Sequence, residues 1–439
     1  MRASLRERLV EAVSRTPLAQ PVARAAAAFR DAGGDDVAAS LDGPALQGLA
    51  RALATQPEMA SFLSHRPEFL SRVASLGPDT LAEREAQLPL DVDAVLEGDL
   101  ESSLDALRIR RREETAFAAC VDLAGLAPFE DVSDFLSVLA ETTAQFALRL
   151  ARDGRAEPGQ DDVFAVIGMG KIAGREFTYH SDLDLIFLYR GGPEWIGRAT
   201  RMAQRLISYL TTMTGAGVAY AVDTRLRPSG RQGMLVTSFE AFERYQLEKA
   251  ETWEHLAILR ARPIAGDIER ASQVLERVRD HLFSLGESPW AQLSQLRGRV
   301  ERERGVESPG SVALKAGAGG LMDVDFLAGG GLIERGTEAY PALPSVRAML
   351  RACVAGDRVD ALLRDYRLLR IVEARARWIA GRAVETLDAA GHELPLCAEL
   401  VEPGLTPAAL LDRIREARRR TRDAFDAVVA ANSISALEA

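Results

Sequence analysis

The chain has 439 residues, with 54 Lys and Arg against 64 Asp and Glu, a net charge of -10. Hydrophobic residues make up 47% and charged residues 27%, which excludes a disordered or fibrous chain and supplies apolar material for two to three domains. The acidic balance argues against nucleic acid or anionic lipid as a partner held by bulk charge.

Cys120, Cys353 and Cys397 are far apart and form no CxxC pair. A disulfide framework or zinc knuckle is therefore not expected, and a reducing cytoplasm fits best. Residues 1–8, MRASLRER, lack the apolar core of a signal peptide. Charges interrupt every apolar run short of a membrane span, so no membrane association is expected.

Up to about residue 155 the chain reads as helices rich in Ala, Leu, Arg and Glu. Leu49, Leu53, Met59, Phe62 and Leu63 lie in one segment, with Pro67, Phe69 and Leu70 after it. Phe135, Leu136, Leu139, Phe146, Leu148 and Leu150 fall near helical spacing in another. Between roughly 160 and 265 the texture changes. Val163–Ile167, Leu183–Tyr189 and Val218–Val222 are short apolar runs bounded by Gly or Pro, which predicts strands of a sheet covered on both faces. Met202, Leu206, Ile207 and Leu210 predict a helix between the second and third runs, and Met234–Val236 is a candidate fourth strand. After Ala265 the pattern is helical again. The last helix has Thr406 as cap, Pro407 in its first turn, and a stripe of Leu410, Ile414, Ala417, Thr421, Ala424 and Val428. The expected architecture is α+β but mostly α: a small mixed-sheet domain over 158–266, flanked by a helical region over 1–157 and a helical bundle over 267–439.

The chemistry-bearing residues cluster in the middle region. Asp182 and Asp184 stand two apart at the head of a predicted strand, so both carboxylates emerge on one face. Such like charges repel unless neutralised, and carboxylate oxygens are what magnesium prefers. Asp223 ends the next predicted strand and converges with them if the strands are neighbours. Gly168 and Gly170 allow close backbone approach to phosphate, and Lys171 adds charge. Arg225 and Arg227 alternate in what reads as an extended segment, so both point toward one anion. Taken singly, a GxGK or a DxD is weak. The order carries more: strand, Gly-x-Gly-Lys, strand with DxD, helix, strand with Asp, two arginines. It resembles the polymerase-β-type nucleotidyltransferase superfamily, and is neither a Walker A loop nor a Rossmann fingerprint.

The segments GMGKIAGREFTYHSDLDLIFLY, VDTRLRPSGRQGMLVTSFEAFERYQLEKAETWEHLAILRARPIAG and LKAGAGGLMDVDF narrow this. They resemble the glutamine synthetase adenylyltransferase family, whose long members carry two similar halves. One half attaches AMP to a tyrosine of glutamine synthetase and the other removes it by phosphorolysis. The resemblance covers about residues 40 to 435, is densest from 164 to 266, and is to one half only. RLRPSG-RQ-GMLV and TWEHLAILRAR look like the transferring half; the removing half more often reads RLRPxG-xx-GPL with a WER-type sequence near the tryptophan.

The resemblance implies that Asp182 and Asp184 bind two magnesium ions, and that Asp223 binds the catalytic ion and helps deprotonate the acceptor hydroxyl. It further implies that Gly168, Gly170, Lys171 and Ser181 line the triphosphate of ATP, with Arg225 and Arg227 near it. It names glutamine synthetase and a PII-type nitrogen signal protein as partners. Three readings stay open: the transferase, the phosphorolytic enzyme, and a catalytically silent half that binds those partners. Two residues depart from the family's pattern. Ala173 stands where a second glycine is common, and His180 where a small polar residue is common.

Other features have plainer readings. Lys315–Asp325 is either a phosphate-facing helix start or a loop whose acids, Asp323 and Asp325, make salt bridges. Trp253 is expected in a core and His255 is a weak candidate base. Arg367, Arg370, Arg375 and Arg377, and the run Arg413 to Arg422, are expected to be solvated, with docking of the protein substrate as the alternative for both groups. His65, His281 and His392 are isolated.

Overall fold

The computed structural model describes residues 4–27, 41, 43–64, 66–77, 79–95, 99–152, 164–286, 288–308 and 310–438. Val163, His65 and the expected boundary at 157/158 lie outside them.

The N-terminal part is helical, as composition predicts: α1 (Leu5–Ala12), α2 (Ala19–Ala26), α3 (Gly43–Thr55), α4 (Pro57–Ser64), α5 (Pro67–Ala74), α6 (Thr80–Val95), α7 (Leu100–Leu123) and α8 (Phe129–Ala151). Asp99 caps α7 by accepting from Ser102 N at 2.8 Å. The middle holds β1 (Phe164–Gly168), the one-turn α9 (Gly170–Ala173), β2 (Leu183–Tyr189), α10 (Ile196–Thr211), β3 (Val222–Asp223), β4 (Val236–Ser238), α11 (Phe239–Glu248), α12 (Thr252–Leu259) and β5 (Arg262–Gly266). Then come α13 (Ile268–Ser284), α14 (Trp290–Arg304), β6 (Ser311–Ala313), α15 (Leu321–Arg335), α16 (Val346–Cys353), α17 (Asp357–Ala380), β7 (Thr386–Asp388), α18 (Leu394–Val401) and α19 (Pro407–Ala431). No helix among the described residues is long and apolar enough to cross a membrane.

The sheet is mixed. β1 runs antiparallel to both β2 and β5, while β2 pairs in parallel with β3 at its start and with β4 at its end. Side-chain alternation divides it between two cores. Phe164, Val166, Leu183, Leu185 and Phe187 pack with α10 and the N-terminal helices. Ala165, Ile167, Ile186 and Leu188 pack with Phe239 and Phe242 of α11 and with Ala271, Val274, Leu275 and Val278 of α13. Helix α13 thus packs on the sheet across the expected division at 266/267.

Several expectations need correction. Of the run Val218–Val222 only Val222 is in a strand. A turn at 214–217 follows α10, and the N–H groups of Ala219 and Tyr220 both go to the Leu210 carbonyl, so these residues cap a helix instead of joining a sheet. The fourth strand starts at Val236 and leaves Met234 exposed. β5 lies at a sheet edge with a register shift opposite Val166 and Ile167, where Pro263 is tolerated. In α19 Thr406 does cap, accepting from Ala409 N at 3.2 Å, but Phe425 and not Ala424 is buried, because the stripe drifts round the helix.

Candidate active site

Asp182, Asp184 and Asp223 do converge. One carboxylate oxygen from each lies within 4.8 Å of the others. Two features of local structure bring this about. Alternation puts Asp182 and Asp184 on one side of the chain, and the parallel β2–β3 register sets Asp184 directly opposite Asp223. Burial, then the negative charge of Asp182, raise the Asp184 carboxyl to about 7; Asp223 adds to this while Lys315 and Lys171 oppose it.

The glycine turn stands against this cluster. Met169 N donates to the Asp184 carbonyl at 2.9 Å. Gly170 has φ +56°, and a Cβ there would lie 3.0 Å from Asp184 Oδ2. Glycine is thus required both by conformation and by proximity to the carboxylate. Gly168 ends β1 between Ile172 and Ile264, close enough that a Cβ would meet each at 3.0–3.1 Å.

The remaining expected ligands are placed differently from one another. Lys171 Nζ donates to Glu373 Oε1 of α17 at 2.6 Å, and burial pushes its amine down to about 7 despite that partner. Ser181 is buried and closes a turn, its Oγ accepting from Thr178 N at 3.2 Å and lying 3.4 Å from Arg377. Residues 224–230 form successive turns and not an extended segment, ending in Ser229 and Gly230 at positive φ. Arg225 and Arg227 therefore do not point together. The exposed Arg225 folds back on Asp223, whereas Arg227 donates to the Thr224 carbonyl at 2.7 Å and its hydroxyl at 2.8 Å, holding the loop. Pro228-Ser229-Gly230 was the sequence signal for that turn.

Outside this cluster the salt-bridge readings prevail. Asp323 is fully buried, accepting from Arg297 and from Gly319 N, and Asp325 pairs with Arg260 at 3.3 Å. The helix-start loop serves its own acid. Arg370, Arg375 and Arg377 are buried and ion-paired, correcting the solvated reading; Arg367 is exposed and bound to Glu130 at 2.8 Å. Trp253 is half-buried, not core, and donates to Glu251 at 2.9 Å; His255 lies 3.2 Å from the Gln246 carbonyl. The α19 arginines Arg413, Arg415 and Arg419 are exposed and each pairs with a carboxylate, as a solvated face does, but Arg418 is largely buried against Glu307 and the Ala318 carbonyl, correcting that reading there. Sequence reasoning missed Glu373, although its spacing from Arg370 and Arg377 is that of helical ion pairs.

A mixed sheet with three acids converging from neighbouring strand ends is the frame expected of a nucleotidyltransferase. Residues 46–277, more than half of the chain, match the family model described as glutamate-ammonia ligase adenylyltransferase, and the chain belongs to that family. Relatives named bifunctional glutamine synthetase adenylyltransferase/adenylyl-removing enzyme agree with this. The protein of Chromobacterium violaceum is 34% identical over 80% of this chain and 41% of its own length; that of Thioalkalivibrio sulfidiphilus is 34% identical over 71% and 35%. That of Nitrosococcus oceani is 35% identical over 68% and 34%. The chain spans less than half the length of these curated relatives.

Proposed function

We propose that the chain is a magnesium-dependent adenylyltransferase that moves AMP from ATP to a tyrosine of glutamine synthetase, acting in the cytoplasm to regulate nitrogen assimilation, with a PII-type signal protein as regulatory partner. The observation that supports it best is the convergence of Asp182, Asp184 and Asp223 within the segment matched by the family model. The sequences RLRPSG-RQ-GMLV and TWEHLAILRAR favour the transferring direction over removal.

The donor set fits the metal. Three carboxylates offer hard oxygen ligands within 4.8 Å of one another, and the burial and neighbouring charge of Asp182 that raise Asp184 are what a divalent cation would offset. Asp182, Asp184 and Asp223 would hold two ions, which supply charge neutralisation for the oxygens of a phosphoryl displacement. The rest falls to the chain itself, as positioning and electrostatics. The Gly168–Lys171 turn admits phosphate close to the backbone. Arg225, exposed on a long stem, turns from Asp223 to the triphosphate, and Asp223 so released accepts the proton of the tyrosine hydroxyl. The tyrosine oxygen bonds to the α-phosphorus as the bond to the bridging oxygen breaks, and pyrophosphate leaves.

The test is transfer of label from ATP, with magnesium, to glutamine synthetase purified from the same organism, beside the Asp182→Asn/Asp184→Asn double variant. Label on the target with the native chain only would support the proposal. No label, but ADP released from adenylylated target and phosphate, would reverse the direction. Silence in both assays would overturn both enzymatic readings and leave a binding half.

A further inference from the structure

The loop beside the carboxylates is gripped by a helix some 200 residues away in sequence. Glu373 of α17, with its side chain 1% exposed, accepts from Lys171 Nζ at 2.6 Å and from Arg370 at 2.7 Å, and Arg377 lies 3.2 Å away. Arg370 also donates to the Glu176 carbonyl, and Arg377 reaches the Ser181 hydroxyl. One carboxylate and its two arginine neighbours thereby fix positions 171, 176 and 181, spanning the segment that joins β1 to β2.

Lys171 is only partly enclosed, with 20% of its side chain exposed. Its ammonium carries three donors, of which Glu373 takes one. A lysine stem left free would spread over many rotamers, and ordering it on ligand binding would cost affinity. Glu373 removes that disorder in advance. Because Glu373 is shared among three cations, it also leaves each of them only partly neutralised, which suits an approaching polyanion.

We propose that Glu373 is a positioning residue for nucleotide binding: it holds the Lys171 ammonium beside the Gly168–Gly170 turn, so that the remaining N–H donors meet a phosphate oxygen of ATP. The inference rests on reading the carboxylate cluster as a nucleotide site. A merely structural ion pair would fasten α17 to the loop but leave nucleotide affinity alone once the chain is folded.

The test is calorimetric titration of magnesium-ATP into the full chain, independent of any acceptor protein, for the native chain, Glu373→Gln, Lys171→Met and the double variant. Glu373→Gln and Lys171→Met are each expected to weaken binding about tenfold, as loss of a charge-assisted contact does. The double variant should bind no more weakly than Lys171→Met, because both changes remove one interaction. Native affinity in Glu373→Gln overturns the inference, and so does an additive loss in the double variant. Where Glu373→Gln fails to fold, Glu373→Asp decides: it keeps the charge but withdraws the carboxylate by one methylene. Weakening that disappears in the Lys171→Met background supports the inference, and native affinity overturns it. Failure of the native chain to bind magnesium-ATP would instead defeat the nucleotide site itself, and is seen before any variant is made.

Discussion

Arg225 closes onto Asp223 two residues before it, with Nε 2.7 Å from one carboxylate oxygen and its backbone N–H 2.8 Å from the other. An arginine expected to face phosphate thus occupies an acid expected to hold metal. Under the proposed function the two roles compete, and Asp223 would be freed for catalysis once Arg225 has another anion to bind.

Arg225→Ala should therefore act on catalysis and leave folding alone. Its side chain is more than half exposed, so stability should shift by no more than about 1 kcal/mol. AMP transfer should fall at least about tenfold, through a higher KM for ATP. Steady-state kinetics beside a thermal melt check both halves; native KM would refute the partner exchange.

Gly170→Ala combines two penalties. Alanine at φ +56° costs about 1 kcal/mol, and its methyl would press on Asp184 Oδ2. A small drop in melting temperature with a large loss of activity is expected, and the thermal stabilisation that magnesium should give the native chain should be smaller in the variant. Undiminished stabilisation by magnesium would show that Asp184 tolerates the methyl.

His180 supplies the pH dependence. Burial, then Arg111 and Arg377, push its imidazole down to about 4 from an ordinary 6.5. The unfolded chain therefore binds the extra proton more readily, so this residue lowers stability as pH falls from 6.5 toward 4 and has no such effect above 6.5. His180 also sits at φ +52°, which asparagine tolerates. His180→Asn should flatten the acid side of the stability profile by about 1–2 kcal/mol at pH 5. Urea midpoints at pH 5 and pH 8 measure it; parallel losses in both chains would refute it.

Asp323→Ala separates the two readings of the glycine-rich segment before α15. It removes the buried carboxylate that faces buried Arg297, leaving only the Gly317 carbonyl and the part-exposed Glu301, and should destabilise the chain by about 3–5 kcal/mol. Magnesium-ATP affinity of the folded fraction should not change. A specific loss of affinity at unchanged stability would restore the phosphate-facing reading.

How much was legible follows from the range of each interaction. β2 was readable to the residue, because seven mostly apolar positions lie between Asp182 and Arg190-Gly191. The acid cluster was readable too, since it needs only strand alternation and one neighbouring strand. The turn after Asp223 had its signal in Pro228-Ser229-Gly230, but two alternating arginines invited an extended reading. Arg370, Arg375 and Arg377 were not recoverable. Glu373 stands at helical ion-pair spacing from Arg370 and Arg377, but their burial, and the pairing of Arg375 with Asp122, depend on packing against elements far away in sequence. Lys171 shares this difficulty, since its partner Glu373 lies 202 positions away in sequence.

Helix α17 also touches much that precedes it. Its Arg375 holds Asp122 of α7, with one N–H···O contact of 2.7 Å, and its Trp378 donates to Thr55 of α3 at 2.8 Å and lies against the ring of Tyr179. During synthesis, everything upstream emerges before these partners exist, so Asp122 and Lys171 wait for their counter-charges until residue 380 has left the ribosome. The N-terminal helices and the sheet are then expected to complete together, late, and a chain cut before α17 would leave Asp122 and Lys171 without these counter-charges and should be a target for chaperones and proteases.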